Sequence, residues 1–158
     1  YSRVSLKVHA PRTIHLREPL EQALASLRKS IEDSKASILI RDLPRIPADE
    51  TQMLQVFQNL LGNAIKFRSE RPLQIEVGSE QEQEFWKLWI KDNGIGFNPR
   101  LQEKIFLIFQ RLNSRQRYPG NGIGLSVCKK IVERHGGSIW AESLPGSGST
   151  FYFTLPAR

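Results

Sequence analysis

Cysteine is almost missing from this chain: of 158 residues, Cys128 alone carries a thiol. An intrachain disulfide is therefore excluded, and the composition suits a reducing compartment. No apolar run approaches the roughly 20 residues that would cross a bilayer, and no charged-then-apolar signal segment opens the sequence. Together these absences predict a cytoplasmic segment with no membrane contact of its own. Zinc-finger spacing and RNA-binding aromatic motifs are missing too, so no nucleic-acid partner is expected. There is no internal repeat, no low-complexity tract and no initiator methionine. The start at Tyr1 reads as a piece of a longer protein.

What is present is ordinary for a globular domain: 39% hydrophobic and 25% charged residues, enough chain for one domain with a real core. The net charge is +7. That is either a solvated basic surface or attraction for a polyanion such as a nucleotide or an acidic protein. Arg100, Lys104, Arg111, Arg115 and Arg117 cluster between two glycine-rich segments.

Residues 1–12 carry Pro11 and read as a linker, leaving residues 13–158 as the domain. Residues 13–16 read as a strand. Leu20, Leu24, Leu27 and Ile31 recur at helical spacing and predict one helix over 18–33, with Pro19 in its first turn. Residues 37–41 alternate as a strand. Asp49 can cap a helix running to about Phe67. Residues 73–77 and 85–90 predict an antiparallel pair joined by the polar stretch 79–84. Asn98-Pro99 opens a further helix that ends before Asn113. Ile123, Val127, Ile131 and Val132 mark an amphipathic helix stopped at Gly136-Gly137, and Cys128 falls on its apolar side. His135 closes that helix, where an imidazolium would suit the dipole. Residues 138–143 and 149–155 pair around a turn at 145–148. The fold class is α+β, with helices packed on one face of a sheet.

Three segments carry chemistry. On the helix after Asp49, Gln52, Gln55, Asn59, Asn63 and Lys66 share one stripe. It is a solvent face, or a site in which an amide oxygen meets Mg2+ and a lysine meets phosphate. Asparagine costs roughly half a kcal/mol relative to alanine inside a helix, so two of them one turn apart favour a use. Asp92-Asn93-Gly94-Ile95-Gly96 is either a plain turn or a carboxylate that accepts from an exocyclic amine such as adenine's, beside glycines that admit a flat ligand. Gly120-Asn121-Gly122-Ile123-Gly124-Leu125 opens a helix, as a flexible loop or as an anion site. It is neither a Walker loop nor a dinucleotide fingerprint. His9, His15 and His135 form no metal or catalytic set.

In this order the segments resemble the catalytic ATP-binding domain of sensor histidine kinases, within the gyrase/Hsp90/histidine-kinase/MutL superfamily. Residues 59–67 resemble its N box, 92–96 its G1 box, 105–112 its F box and 120–125 its G2 box, and 146–151 resemble the closing glycine–Ser/Thr strand. The wording from Arg111-Leu112-Asn113-Ser114-Arg115 to Ile131-Val132-Glu133-Arg134-His135-Gly136-Gly137 is similar to phytochrome-type and PAS-linked sensor kinases. Leu107 departs from the usual F-box acid, Asn121 from the frequent threonine, and Asn113 from a common histidine.

The resemblance implies a two-layer α/β sandwich of the Bergerat type, a mixed, mostly antiparallel sheet on about three helices. It implies ATP and Mg2+ as cofactors. By position, Asn63 would coordinate Mg2+, Lys66 would meet phosphates, and Phe67 would pack beside the base. Asp92 would bind the adenine amine, with Ser149 or Thr150 helping through water. Arg111, Arg115, Arg117 and Tyr118 would serve the phosphates or a lid. Gly120, Gly122 and Gly124 would shape the hinge and the triphosphate cradle. Asn59, Gly94, Gly96 and Leu125 complete the implied set. The family's phosphoacceptor histidine lies on a dimerisation domain, and no histidine here matches its motif; Tyr1-Ser2-Arg3-Val4 resembles that domain's tail. Implied partners are that domain and a response regulator receiver. Phosphotransfer, a gyrase- or Hsp90-type ATPase, and a non-catalytic nucleotide-binding or protein-interaction module, with nucleic-acid binding as its basic-surface variant, remain the three readings. Asn59, standing where hydrolytic relatives carry a water-activating acid, favours the first.

Overall fold

The computed structural model describes residues 12–106 and 123–158. In chain order these form β1 (Arg12–His15), α1 (Arg17–Ser26), α2 (Arg28–Ser34), β2 (Ser37–Ile40), β3 (Arg45–Ala48), α3 (Glu50–Lys66), β4 (Gln74–Glu82) and β5 (Phe85–Asp92). A 3-10 turn (Pro99–Leu101), α4 (Ile123–Arg134), β6 (Ile139–Leu144) and β7 (Gly148–Pro156) follow. One sheet runs β2-β4-β5-β7-β6, and β1 pairs with β3 separately. Only β2–β4 is parallel; the other neighbours are antiparallel, so the sheet is mixed as expected.

Strand alternation sends Val77, Leu88, Ile90, Phe151 and Phe153 to one face, where they are buried. There they meet the apolar stripe of α3 and Cys128, Ile131 and Val132 of α4. Phe57 of α3 meets Phe153 edge-on, ring centroids 6.0 Å apart, and burial of such a ring is worth about 1.5–3 kcal/mol. On the outer face Trp89, Tyr152 and Trp140 stand in one cross-strand row, with Trp140 and Tyr152 stacked at 5.3 Å. Helices on one side and a half-solvated sheet on the other make the two-layer sandwich.

Asp49 caps α3 as the sequence predicts, its carboxylate accepting from Gln52 N at 3.1 Å. Gln52 itself, placed on the polar stripe by periodicity, is buried. The helix expected over 18–33 is two, because Leu27 leaves helical geometry (φ −103, ψ 12). Leu27 and Ile31 still reach the core around that bend, and the described residues hold four α-helices rather than about three. β3 escaped the sequence reading because Pro47 disguises it; in a two-stranded ladder a proline is tolerated. The polar stretch 79–84 continues the β4 ladder to Glu82, with the turn confined to Gln83 and Glu84. After Asn98, whose side chain accepts from Arg100 N at 2.9 Å, the described chain makes a 3-10 turn rather than an α-helix.

His135 reaches beyond its own helix end. Asp49 N donates to its Nε2 at 3.1 Å, so that nitrogen is bare, and Nδ1 lies 2.9 Å from Ile131 O. The ring thereby ties the end of α4 to the start of α3.

Candidate functional site

The end of α3, the end of β5 and the start of β7 converge at one end of the sheet. Asn63, Phe67, Asp92, Gly96, Phe97, Ser149 and Phe151 line a small cavity there, of about 20 Å3. Phe97 and Phe106 both pack against Phe151, at 6.5 and 6.0 Å, forming an apolar wall. A larger hollow of about 420 Å3 is lined by Ser37, Leu39, Gln74 and Lys91 and also by Asp92 and Asn93; the aromatic wall and the Asn63 amide, not size, distinguish the smaller cavity.

Asp92 is 9% exposed. Its Oδ1 accepts from Gly94 N at 2.8 Å and from Ser149 N at 3.3 Å. Its other oxygen takes no hydrogen bond among the described residues, which leaves it for a donor in the cavity. Burial pushes the carboxyl above its ordinary value of 3.8, and the two backbone N–H groups pull it back. The folded chain therefore holds that proton more tightly than the unfolded chain does. Stability contributed by Asp92 falls as pH rises from 3.8 through the raised value. The amine binding that the resemblance implies for Asp92 would run the other way, because the ionised carboxylate is the stronger acceptor. We expect ADP affinity to fall on acidification while still above the usual carboxylate range of about 4. Calorimetry across pH in the wild type and in Asp92→Asn checks this; the same pH dependence in both would reject the assignment.

Ser149 stands in register with Asp92 on the inner face, and Thr150 pairs with Lys91 and Glu142 on the outer face. Of the two residues predicted to assist Asp92, only Ser149 is near it. Ser149 Oγ lies 2.8 Å from Ser143 Oγ. Ser143 Oγ also accepts from Phe97 N at 2.8 Å and sits 2.9 Å from Gly148 O. A carbonyl only accepts, so the Ser143 proton goes to Gly148 and Ser149 donates to Ser143. Sequence reading missed Ser143, although a serine at an inward position of β6 was a usable signal.

The two glycines of the G1-like segment make room for neighbouring backbone. A Cβ on Gly94 would lie 2.5 Å from Phe67 O, and one on Gly96 would lie 2.0 Å from Leu144 O. Ile95 N donates to Phe67 O at 2.9 Å and Gly146 N to Ile95 O at 2.7 Å, which stitches the three segments together.

Asn63 is half-buried at the cavity and its amide makes no hydrogen bond among the described residues. It fits a hard cation. No three His, Cys, Asp or Glu side chains come together among the described residues, so such an ion would rest on Asn63 and on a ligand's own phosphates. Lys66 is exposed at the rim, its ammonium 5.5 Å from the Phe67 ring centroid. Asn59 is used otherwise: its Nδ2 donates to Gly124 O at 3.3 Å, and its amide meets Cys128, whose thiol burial pushes up to about 12. Gly124 thus packs on Asn59, and Leu125 is buried in the core; neither lines the cavity. Ile105 and Phe106 of the F-box-like segment are buried. Arg111, Arg115, Arg117, Tyr118, Gly120 and Gly122 lie outside the described residues.

The family model of the histidine kinase-, DNA gyrase B-, and HSP90-like ATPases matches residues 48–158. The chain is 47% identical to Cyanobacterial phytochrome A of Nostoc sp. over 99% of its length, and 44% identical to Phytochrome-like protein Cph1 of Synechocystis sp. over the same share. It spans 20% and 21% of those two proteins. The solved catalytic domain of histidine kinase ThkA, in a nucleotide-free form, superposes with a TM-score of 0.79 at 27% identity, covering 94% of this chain and 97% of that one. ThkA in complex with the response regulator protein TrrA superposes at 0.75 with 28% identity, covering 94% and 42%.

Proposed function

Since the chain belongs to the histidine kinase-, DNA gyrase B-, and HSP90-like ATPase family, we propose that it binds MgATP in the Asp92 cavity and presents the γ-phosphate to a histidine on a separate dimerisation domain. One observation carries the binding: a buried carboxylate with one oxygen held by two backbone N–H groups and the other open to an apolar-walled cavity. That oxygen takes the adenine amine, with Phe67 and Phe97 beside the base. Asn63 holds the magnesium ion, which when bound screens the triphosphate charge, and Lys66 adds a point charge at the rim. Arg111, Arg115, Arg117 and Tyr118, with Gly120 and Gly122, act at the phosphates or the lid.

Transfer rather than hydrolysis follows from Asn59. Its amide is committed to Gly124 O and offers no carboxylate base for water. An incoming histidine brings its own nucleophile, so positioning and charge neutralisation suffice. Among the described histidines, His15 Nδ1 accepts from Arg17 N and both ring nitrogens of His135 are engaged. Residues 13–158 act as the ATP-binding domain, with 1–12 as the linker toward the acceptor domain. The ThkA–TrrA complex supports a response regulator as the onward partner. No helix among the described residues is long and apolar enough to cross a membrane.

Radiolabelled ATP tests the reading. The chain alone is expected to bind ATP without stable self-phosphorylation or rapid hydrolysis. Adding the dimeric acceptor domain should yield phosphohistidine. Rapid hydrolysis by the chain alone, with no transfer in the mixture, would favour the ATPase reading.

A further inference from the structure

Arg71, in the loop between α3 and β4, uses its charge in an unusual place. Its Nη2 donates to Asn93 O at 2.7 Å and to Gly146 O at 3.0 Å. Its Nε and its backbone N both meet Ser69 Oγ, at 3.4 and 3.2 Å. Among the described residues no carboxylate pairs with it. A full positive charge is thus spent on two carbonyl oxygens, one on each side of the Asp92 corner.

The first carbonyl leads directly to the site. Asn93 C=O and Gly94 N–H are the two ends of a single trans peptide and point in opposite directions. The Gly94 N–H is the donor that holds Asp92 Oδ1 at 2.8 Å. A cationic donor on the oxygen polarises that peptide and strengthens the N–H at its other end, as hydrogen bonds in series do. The second carbonyl belongs to Gly146, whose N–H closes on Ile95 O in the same loop. From outside, Asn93 secures the arrangement: its Oδ1 accepts from Gln74 N at 2.8 Å and its Nδ2 donates to Pro72 O at 3.0 Å.

We propose that Arg71 is a positioning residue for base recognition: by bracing the 93–94 peptide against the turn at Gly146, it orients the Asp92 carboxylate that reads an adenine amine. The inference rests on the reading of Asp92 given above. Arg71 is exposed, so its contribution to stability is small. Its effect lies in which purine the site prefers, since guanine presents an oxygen where adenine presents the amine.

The experiment compares ADP and GDP affinity by competition in the wild type, Arg71→Gln, Arg71→Lys and Asp92→Asn, and follows the Gly94 amide by NMR. In Arg71→Gln the preference for ADP over GDP should fall about five- to tenfold, roughly one ordinary hydrogen bond's worth, because Arg71 acts on the adenine only through Asp92. The Gly94 amide proton should move upfield as its bond to Asp92 weakens. Arg71→Lys, which keeps a cationic donor, should recover much of both. A purely structural role would weaken ADP and GDP alike and gain nothing from lysine, and that pattern overturns the proposal. So does an unmoved Gly94 resonance in Arg71→Gln. If Arg71→Gln leaves the preference intact while Asp92→Asn removes it, Arg71 fails and Asp92 stands. If Asp92→Asn keeps the preference, both fail.

Discussion

Asp92→Ala is expected to abolish measurable adenine-nucleotide binding while leaving the chain folded. A hydrogen bond to a charged group contributes about 1.5–3 kcal/mol, or roughly ten- to over a hundredfold in affinity. Here the loss is compounded, because Gly94 N and Ser149 N lose the oxygen that organises the cavity rim. The fold should tolerate the change. Burial already disfavours the ionised carboxylate, so its removal relieves a desolvation cost that partly offsets the two donors left behind. Calorimetry with ADP, alongside thermal melting by circular dichroism, checks both halves. A folded variant that binds ADP normally would remove Asp92 from the site.

Gly148→Ala should be strongly destabilising. Gly148 sits at φ +103, and a Cβ there would lie 2.1 Å from Asp92 O and 2.8 Å from Asn93 Cα. Backbone strain of about 1–2 kcal/mol for a non-glycine residue at positive φ adds to about 1–3 kcal/mol for overpacking. The sum corresponds to a drop in Tm of the order of 10 °C for a chain of this size. Because the displaced atoms belong to the Asp92 corner, ADP affinity should fall with stability. Gly62→Ala is the control: it lies in α3 with nothing within 4 Å of an added Cβ, and alanine is the better helix former. Equal melting temperatures for the two variants would show that the β6–β7 turn yields more easily than its geometry states.

Much of the layout was legible in local chemistry. Asp49 announced the start of α3, apolar alternation announced β5 and β7, and Gly136-Gly137 announced the end of α4. These features act over three or four residues, which is the range that capping and side-chain periodicity cover. Where a segment's fate depended on a distant partner, local reading fell short. Pro47 hid β3 because its ladder partner is Thr13. His135 read only as a helix-end residue because nothing nearby in the chain reveals that Asp49 N, 86 residues away, hydrogen-bonds its ring.

The sequence by itself determined the α+β class, the order of the nucleotide-site motifs and the pairing of a carboxylate with an asparagine-bearing helix. Those follow from residue types at short spacings, and they suffice to name Asp92, Asn63 and Lys66 as candidates. Only the tertiary structure decided what each group does. It turned Thr150 outward and Ser149 inward, recruited Ser143 to hold Phe97, gave Asn59 to Gly124, and set Arg71 on two carbonyls behind Asp92. The physical reason is that a buried polar atom must find its partner wherever folding brings one, and these partners lie 22 to 75 residues apart. Spacing along the chain carries no record of such meetings.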